Sequence, residues 1–542
     1  MNQLAHLQPL IEAHADELKQ PGVVSIRPGY KMEGGLLTKE PAIVVTVKPG
    51  SAPQGIPATV GDVPVDVREA DPAEELRFTD PAGYAKLASV RAEFRAGAFE
   101  EVDPVAEDAE AAPGVEGAAA VRPQATGKQQ PYSAPTGDDG KTVPLAAVTG
   151  TFPFTVHASP DAGWPTLKKF LAGTKSSLDV AMYDFTSAHV LEGIESAVAA
   201  AQTLTLTLDN PAKNPSADQT DADTLETLGN DVGDRFKSAW ALNRANPKIN
   251  DWIFPNAYHI KVAVRDGDTV WLSSGNWNNS NQPDFDPVNA EDPNASEIQQ
   301  EAKKRDRDWH IIIEHPEIAK TFQAYVLHDY EVASKDAGAD TADTSAVEAQ
   351  APFPVVEIEA ARKPWKFFAP LRIEDEEVEI TPLLTPDPGV YQPAMLALIR
   401  SAQKKLYIQL QYIHPSDKEG DEDFAALVDA VAQKIQDGVD VRIITSQYQK
   451  SNGWLERLQA AGIDGSVVKI QNGVHNKGFV VDAPDDDSGE GGVVALGSEN
   501  WSGDGVLRNR DASVIVKSTK AALYYQQIFL HDWDNIARPS SK

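Results

Sequence analysis

The chain has 542 residues, enough for about two to four domains that each bury a sizeable core. It contains no cysteine, which excludes disulfide bonds and thiolate metal sites. Acidic residues outnumber basic ones by 81 to 49, and the net charge of −32 disfavours sequence-independent clamping of nucleic acid, because such clamping depends on many Lys and Arg contacts to phosphates. A small basic pocket within an acidic surface remains compatible with this charge.

The first part of the chain, 1–98, predicts a small α/β module. Its opening stretch, MNQLAHLQPLIEAHADELKQ, has the pattern of an amphipathic helix and lacks the continuous apolar region of a signal peptide. Strands are predicted at GVVSIRPGY, PAIVVTVKP and VPVDVRE, with a Gly34–Gly35 turn after the first. Because no run of about 18 apolar residues occurs in the sequence, we expect no integral membrane segment and a soluble, cytoplasmic protein.

Two stretches of biased composition are predicted to be linkers. The stretch 99–144 is rich in Ala, Pro, Gly and acid, with eight acidic residues against three basic ones between Glu101 and Thr142. The shorter stretch 334–352 has the same character. The linkers bound two segments of similar size, 145–333 and 353–542.

These two segments repeat one another. The first contains YHIKVAVRDGDTVWLSSGNWN (258–278) and the second contains VHNKGFVVDAPDDDSGEGGVVALGSENWS (474–502), each with a Lys two residues and an Asp seven residues after a His. Further on, RDRDWHIIIEHPEIAKTFQAYVLHDY (305–330) aligns without a gap to RNRDASVIVKSTKAALYYQQIFLHDW (508–533). The predicted fold class is therefore α/β, a duplicated α/β/α sandwich with pseudo-twofold symmetry beside the small N-terminal module.

The His-x-Lys pairs are the candidate functional residues. On a strand, residues two apart point to the same face, so His259 and Lys261 lie side by side while Ile260, Val262 and Val264 face a core. One such pair is more typical of a solvated strand face than of a site. Two complete copies favour a site, because a scaffold without function would have had to retain His, Lys and Asn twice.

The doubled pattern H-x-K-x4-D followed by [GS]-S-x-N, with six residues between the two parts in the first copy and fourteen in the second, resembles the motif of the phospholipase D superfamily, over roughly 150–540. The resemblance implies a phospholipase D-like sandwich and a phosphodiesterase reaction that passes through a phosphohistidine, with no cofactor and no metal site. The polar groups it implies for catalysis are His259, Lys261, Asn276, Asp308, His475, Lys477, Asn500 and Asp511, and Ser274 and Ser498 are expected to contact the substrate phosphate or the backbone.

This residue set suits attack on a phosphodiester without a metal. One imidazole is the nucleophile, the other protonates the leaving oxygen, and the lysines and asparagines bind the non-bridging oxygens. Asp511 follows the second motif and Asp308 is its aligned counterpart in the first half, so both are candidates to orient an imidazole. The motif aspartates Asp266 and Asp482 are expected to brace the fold.

The nucleophile is expected to be His259 and the acid and base His475. One reason is that Glu499, in the second turn only, is expected to raise the pKa of His475 and keep it protonated. The resemblance points the same way, because the first-half histidine is the usual nucleophile in two-copy members.

Three functions remain open from the sequence. The favoured one is hydrolysis or transfer of phospholipid phosphodiesters, because the basic stretches LKKF (167–170), AKKRDRD (302–308) and QKKL (403–406) are too short and scattered to form a nucleic-acid track. The alternatives are a nuclease or other nucleic-acid phosphodiesterase with the same catalytic centre, and a non-catalytic interaction scaffold. The sequence identifies no protein partner.

Overall fold

The protein is described by a computed structural model that covers residues 7–20, 23–33, 36–47, 55–69, 132–137, 139–209, 218–241, 257–335, 364–387, 390–446, 454–486 and 489–540. The chain divides into two compact units, Met1–Pro104 and Val105–Lys542. Most of the first predicted linker, most of the second and the Gly34–Gly35 turn lie outside the described residues.

The first unit is a four-stranded sheet with helical turns on one face. Two short helices, Leu7–Ala13 and Ala15–Leu18, precede the strands. The sheet order is β1-β2-β4-β3, with β1 at Val23–Glu33, β2 at Leu36–Val47, β3 at Thr59–Val60 and β4 at Val63–Glu69. Alternate residues of β2 pack on the helices through Ile43, Val45 and Val47, so the predicted opening helix and three strands are present.

The first half of the second unit contains an open mixed sheet. Its strands are β6 (Phe154–Ser159), β7 (Ser177–Met182), β8 (Thr203–Leu208), β9 (Phe236–Trp240), β10 (Lys261–Arg265), β11 (Thr269–Ser273) and β12 (Asp308–Ile313). They lie in the order β6-β12-β11-β10-β7-β8-β9. The helices of this half are Gly163–Ala172, Ala188–Ala197, Asp221–Val232, Ser296–Ala302 and Pro316–Lys335.

The second half repeats this order with the aligned strands. They are β14 (Val378–Thr385), β15 (Lys405–Leu410), β16 (Asp440–Ser446), β17 (Val468–Gln471), β18 (Lys477–Val481), β19 (Val493–Gly497) and β20 (Asp511–Lys517), and they run β14-β20-β19-β18-β15-β16-β17. The helices are Tyr391–Ser401, Glu422–Gln436, Trp454–Ala460, Gly503–Leu507 and Thr519–His531. A last strand, β21 (Arg538–Pro539), pairs with β17. The duplicated sandwich inferred from the repeat is the fold that the chain adopts.

Each half also gives one short strand to the other half's sheet. Strand β5 (Val148–Gly150) pairs with β14 in the second sheet, although it directly precedes β6 of the first. Strand β13 (Leu371–Ile373) pairs with β6 in the first sheet, although it directly precedes β14 of the second. The segments 145–333 and 353–542 are therefore interlocked at their starts.

The end of the first predicted linker packs on the second unit. Tyr132, Ala134 and Val143 lie against the apolar core that both halves share. The Tyr325 hydroxyl donates a hydrogen bond to the Val143 carbonyl at 2.8 Å. Composition alone therefore placed the end of this linker too late, because 132–137 and 139–144 have fixed contacts.

A buried arginine joins the two halves. Arg307 donates from Nε and Nη2 to the two carboxylate oxygens of Asp532, at 2.9 and 3.1 Å, and from Nη1 to Asp161 at 2.9 Å. Arg307 and Asp161 belong to the first half and Asp532 to the second, and all three side chains are fully buried. A bidentate pair of this kind fixes both the distance and the orientation of its partners.

The repeat produces the same contact in the opposite direction. Arg510 of the second half donates from Nε and Nη2 to Asp329 of the first, at 2.8 and 2.9 Å, and it also contacts Asp387 of its own half at 3.4 Å. Both arginines are aligned by the repeat, so two related buried ion pairs cross one interface.

We expect Asp532→Asn to lower the free energy of unfolding of the second unit by about 3–5 kcal/mol, because it leaves the buried Arg307 charge without its bidentate partner. Asp329→Asn should have a similar effect at Arg510. The matched control is Asp440→Asn, which breaks a bidentate but exposed pair with Arg442 and should cost about 0–1 kcal/mol. Urea unfolding measures the three variants, and equal effects at all three sites would contradict a structural role for the buried pairs.

Candidate active site

One end of each sheet collects the predicted site residues. In the first half, the first residues of β10 and β12 lie beside the last residue of β11 at this end of the sheet, because β11 is antiparallel to both of its neighbours. Lys261 is the first residue of β10, and Asp308 is the first residue of β12. The second half repeats this arrangement with β18, β19 and β20, so Lys477 and Asp511 occupy the equivalent strand starts.

The two histidines face each other across the interface between the halves. The ring centroids of His259 and His475 are 6.5 Å apart, and the residues are 4% and 3% exposed. The repeat predicts one shared site with both imidazoles within reach of a single phosphate, and this distance agrees with it. Their catalytic roles remain predictions.

Each imidazole is hydrogen-bonded by the aspartate of the opposite half. Asp511 Oδ1 lies 2.9 Å from His259 Nδ1, and Asp308 Oδ1 lies 3.0 Å from His475 Nδ1. The sequence placed each aspartate in the same copy as a histidine but did not reveal that the pairs cross. The carboxylates favour the tautomer with the proton on Nδ1, which leaves the Nε2 lone pair of each ring as the acceptor. Nε2 of His475 lies 3.3 Å from Lys477 Nζ.

A backbone contact across the interface produces this crossing. The residue before Asp308, Arg307, donates its N–H to the Gly473 carbonyl, and its own carbonyl accepts from His475 N at 3.2 Å. Arg510 N donates to the Ala257 carbonyl at 2.9 Å in the related position. Each aspartate therefore enters the site beside the chain that carries the other half's histidine.

Both lysines are buried beside their histidines. Lys261 Nζ donates to the His259 carbonyl, and Lys477 Nζ donates to the His475 carbonyl at 2.7 Å. Lys477 Nζ also lies 3.5 Å from the Ser274 carbonyl of the first half. Burial and the Lys477 charge lower the pKa of Lys261, so an anionic ligand would be needed to stabilise both ammonium groups fully.

Burial and the lysines also favour neutral imidazoles in the free protein. Burial, followed by the charges of Lys261 and Lys477, lowers the pKa of His259 well below its usual range. Burial and Lys477 lower the pKa of His475 to about 4, although Asp308 opposes this change. Burial would raise the pKa of Asp308, but the charge and hydrogen bond of His475 bring it to about 2.

The two predicted serines hold the turns against the neighbouring strands. Ser274 Oγ donates to Asp308 Oδ1 at 2.7 Å and accepts from Trp309 N at 3.1 Å. Ser498 Oγ accepts from Ala512 N at 3.1 Å. The sequence left open whether these serines contact the phosphate or the backbone. Both contact the backbone, and Ser274 also holds Asp308 in place.

The two asparagines are buried at the same turns. Asn276 is 2% exposed and Asn500 is 4% exposed. The side-chain oxygen of each has no hydrogen-bond partner among the described residues. Each carboxamide therefore keeps an unused acceptor, whereas binding of a phosphate oxygen would use its Nδ2 donor.

Tyr183 is a neighbour of the site that sequence reasoning missed. Its ring contacts His259 edge-on at 4.8 Å between centroids, and Lys261 Nζ lies 5.1 Å from the ring centre. Tyr183 follows the last residue of β7, which pairs with Lys261 at the start of β10. Its place at the end of a buried strand was the available signal.

Comparisons with known proteins identify the second half. Residues 395–533 match the family model described as "Cardiolipin synthase, PLD-like domain". This segment is a phospholipase D-like domain. The resemblance to the phospholipase D superfamily that the motifs predicted is thereby confirmed. A search of curated proteins finds no match to the chain.

Solved structures with some similarity include three proteins. Phosphatidylserine synthase of Haemophilus influenzae Rd KW20 is 15% identical, with 70% of this chain and 88% of that chain covered and a TM-score of 0.43. Nuc, a phospholipase D family member from Salmonella typhimurium, is 19% identical with coverages of 30% and 97% and a TM-score of 0.24. NucT from Helicobacter pylori is 17% identical with coverages of 30% and 99% and a TM-score of 0.23. Similarity at this level assigns no activity to the chain.

The motif aspartates of the two halves hold strand ends. Asp266 has φ 56° and accepts hydrogen bonds from the backbone N–H groups of Lys175, Ser176 and Ser177. Asp482 has φ 47° and accepts from three consecutive N–H groups, those of residues 403–405. Both aspartates tie the motif hairpin to the preceding strand, as expected from the sequence.

Glu499 does not act on the histidine that the sequence suggested. Its Oε2 accepts a hydrogen bond from Ser513 Oγ, and Asp511 is the charged group that acts on it most strongly. Asp511 contacts His259, so the expected effect of Glu499 on His475 is wrong. The reason is again the crossing of the two halves.

None of the helices within the described ranges combines the length and hydrophobicity needed to cross a membrane. The same ranges contain no group of three or more His, Cys, Asp or Glu residues arranged to hold a metal ion.

We expect Asp266→Asn to destabilise the second unit by about 1–3 kcal/mol, because an amide replaces a carboxylate that accepts several backbone hydrogen bonds. The turnover of the folded fraction should be retained, since Asp266 contacts neither histidine. Thermal unfolding and an active-site titration separate the two effects. A variant with wild-type stability but lost turnover would instead place Asp266 in the chemistry.

Proposed function

We propose that the chain is a metal-independent phosphodiesterase of phospholipase D type that hydrolyses or transfers phospholipid phosphodiesters through a phosphohistidine. The observation that supports this most directly is the pair of buried imidazoles, 6.5 Å apart, each with its Nδ1 held by an aspartate. Reacting atoms approach to about 3–3.5 Å before bond formation, so a phosphoryl group fits between two such rings.

In the first step, the His259 Nε2 lone pair attacks phosphorus and the bond from phosphorus to the leaving oxygen breaks. His475 donates its Nε2 proton to that oxygen, so an alcohol departs and a neutral His475 remains. Binding of the anionic diester raises the proton affinity of His475 and supplies the protonated form that this step requires.

In the second step, the neutral His475 accepts a proton from water or from an acceptor alcohol. The resulting oxygen nucleophile attacks phosphorus, the bond between phosphorus and His259 Nε2 breaks, and His475 is protonated again. Water gives hydrolysis and an alcohol gives transfer, with the same proton balance.

The remaining predicted residues stabilise charge. Lys261 and Lys477 bind the non-bridging oxygens by charge-assisted hydrogen bonds, and Asn276 and Asn500 add amide donors. Asp511 stabilises the Nδ1–H of phosphorylated His259, as Asp308 stabilises that of protonated His475. The two lysine ammonium groups beside the imidazoles oppose the binding of a divalent cation, which supports a mechanism without metal.

We expect hydrolysis of a fluorescent phosphatidylcholine that persists in EDTA and is absent from His259→Asn. Removal of the general acid or nucleophile should lower turnover by at least about 10²-fold. Single-stranded DNA is the parallel substrate. Cleavage of DNA but not lipid would support the nuclease alternative, and no turnover of either would support the scaffold. Activity lost in EDTA and restored by added metal would contradict the mechanism.

The nucleophile is assigned by a p-nitrophenyl phosphodiester, whose leaving group needs no proton. His475→Asn should still release about one equivalent of p-nitrophenol in a burst and should accumulate phosphorylated His259, because attack proceeds but breakdown lacks its base. His259→Asn, the matched control, should give no burst. Peptide mapping by mass spectrometry locates the phosphoryl group, and a burst from His259→Asn with the label on His475 would reverse the assignment.

A further inference from the structure

A buried glutamate beside the site has no role in the steps above. Glu499 is 2% exposed and lies in the turn that follows β19. Ser513 Oγ donates to its Oε2, while its Oε1 has no hydrogen-bond partner among the described residues. A carboxyl group in this position must either be neutral or lack the solvation that its charge requires.

The first half fills the equivalent space with a different side chain. The repeat aligns Glu499 with Gly275 and Gly505 with Asn281. A Cβ at position 275 would lie 2.7 Å from Asp308 Cγ and 2.9 Å from Asn281 Cβ, so glycine is needed there because Asn281 occupies the space. The second half has the reverse order, with Glu499 followed by Gly505, where a Cβ would meet the Asn500 carbonyl. Each half thus places one polar side chain near a histidine-orienting aspartate, Asn281 by a hydrogen bond to Asp308 and Glu499 where the charge of Asp511 acts on it.

The contacts of Asn281 show the role of the polar side chain in the first half. Its Nδ2 donates to Asp308 Oδ2 at 2.9 Å, which holds the carboxylate that contacts His475. A glutamate can make the corresponding contact to Asp511 only with the donor of a protonated carboxyl, because an ionised one has acceptors alone.

We infer that Glu499 is protonated in the folded protein and acts as a positioning residue, donating a hydrogen bond to Asp511 and so orienting His259. The orienting role rests on the proposed function, whereas the protonated state does not.

The electrostatic surroundings agree with this inference. Burial and the charge of Asp511 raise the pKa of Glu499 to about 8, and the Ser513 hydroxyl opposes this shift. The titratable groups that face Glu499 are Asp511 on β20 and Tyr391 on the helix Tyr391–Ser401. Neither group is cationic, and the backbone N–H groups of Ser498 and Glu499, which also oppose the shift, do not cancel it.

The protonated state has a consequence for stability that needs no substrate. The folded pKa of about 8 lies above the unfolded value of 4.5, so the folded state retains a proton that the unfolded chain releases between these pH values. The contribution of Glu499 to stability must therefore fall as pH rises from 4.5 to 8 and stay constant above that. Glu499→Gln, which has a permanent amide donor, removes this dependence.

The first test compares melting temperatures of the wild-type chain and Glu499→Gln between pH 5 and 9. The Tm of the variant minus that of the wild type should rise steadily up to about pH 8. The matched control is Glu376→Gln, since Glu376 also accepts from a serine hydroxyl, that of Ser518, but lies at the start of the last long helix. A Tm difference for Glu499→Gln that changes with pH no more than the difference for Glu376→Gln would overturn the protonated state.

The second test addresses positioning. In protein labelled with 15N-histidine, the Nδ1 proton of His259, assigned by its absence in His259→Asn, should be protected from exchange in the wild type and in Glu499→Gln. Glu499→Ala should lose this protection, and its turnover should fall about tenfold or more relative to Glu499→Gln. Equal protection in the Ala and Gln variants would overturn the positioning role, with or without activity. Absence of turnover together with the expected exchange difference would count against the proposed function alone.

Discussion

Arg307 and Arg510 each carry a positive charge into the interior, and each is held in a bidentate pair by an aspartate of the opposite half. Because Asp308 and Asp511 directly follow these arginines, the same anchors fix the two carboxylates that contact the histidines. A shift of one half against the other would break buried charge pairs and misplace both imidazoles together. The exchanged strands β5 and β13 oppose the same movement. The candidate site is therefore a property of the interface and of neither half alone.

The two halves contribute the same structural frame to the interface, but the side chains that line the site differ between them. The frame repeats the strand order, the buried arginines and the crossed aspartates. The lining differs beside the histidines, since Tyr183 contacts His259 while the equivalent position in the second half holds Gln411. It differs again where Gly275 is matched by Glu499. These differences give the two histidines unequal surroundings, as unequal roles in one reaction require.

Much of this arrangement follows from sequence spacing. A His and a Lys two residues apart at a strand start must share a face, and the repeat predicts a second copy opposite the first. The crossing of Asp308 and Asp511 does not follow, because alignment establishes which residues are equivalent but not which half each one contacts. The exchanged strand β5 has three residues and no hydrophobic period that would reveal its partner. Tyr183 was missed because a tyrosine at the end of a buried strand is also a normal core residue.

The buried charges explain how an acidic protein can hold an anionic substrate. Lys261 and Lys477 are balanced by Asp308 and Asp511, so with neutral imidazoles these groups sum to zero, which is the least costly state in a site excluded from water. A phosphodiester adds one negative charge, and the site can return to neutrality by binding one proton. Burial and both lysines lower the pKa of each histidine, but Asp308 opposes them at His475, where the pKa is about 4, whereas the pKa of His259 lies well below its usual range. Substrate binding would therefore favour protonation of His475, the proposed acid, and this local balance is compatible with the net charge of −32 of the whole chain.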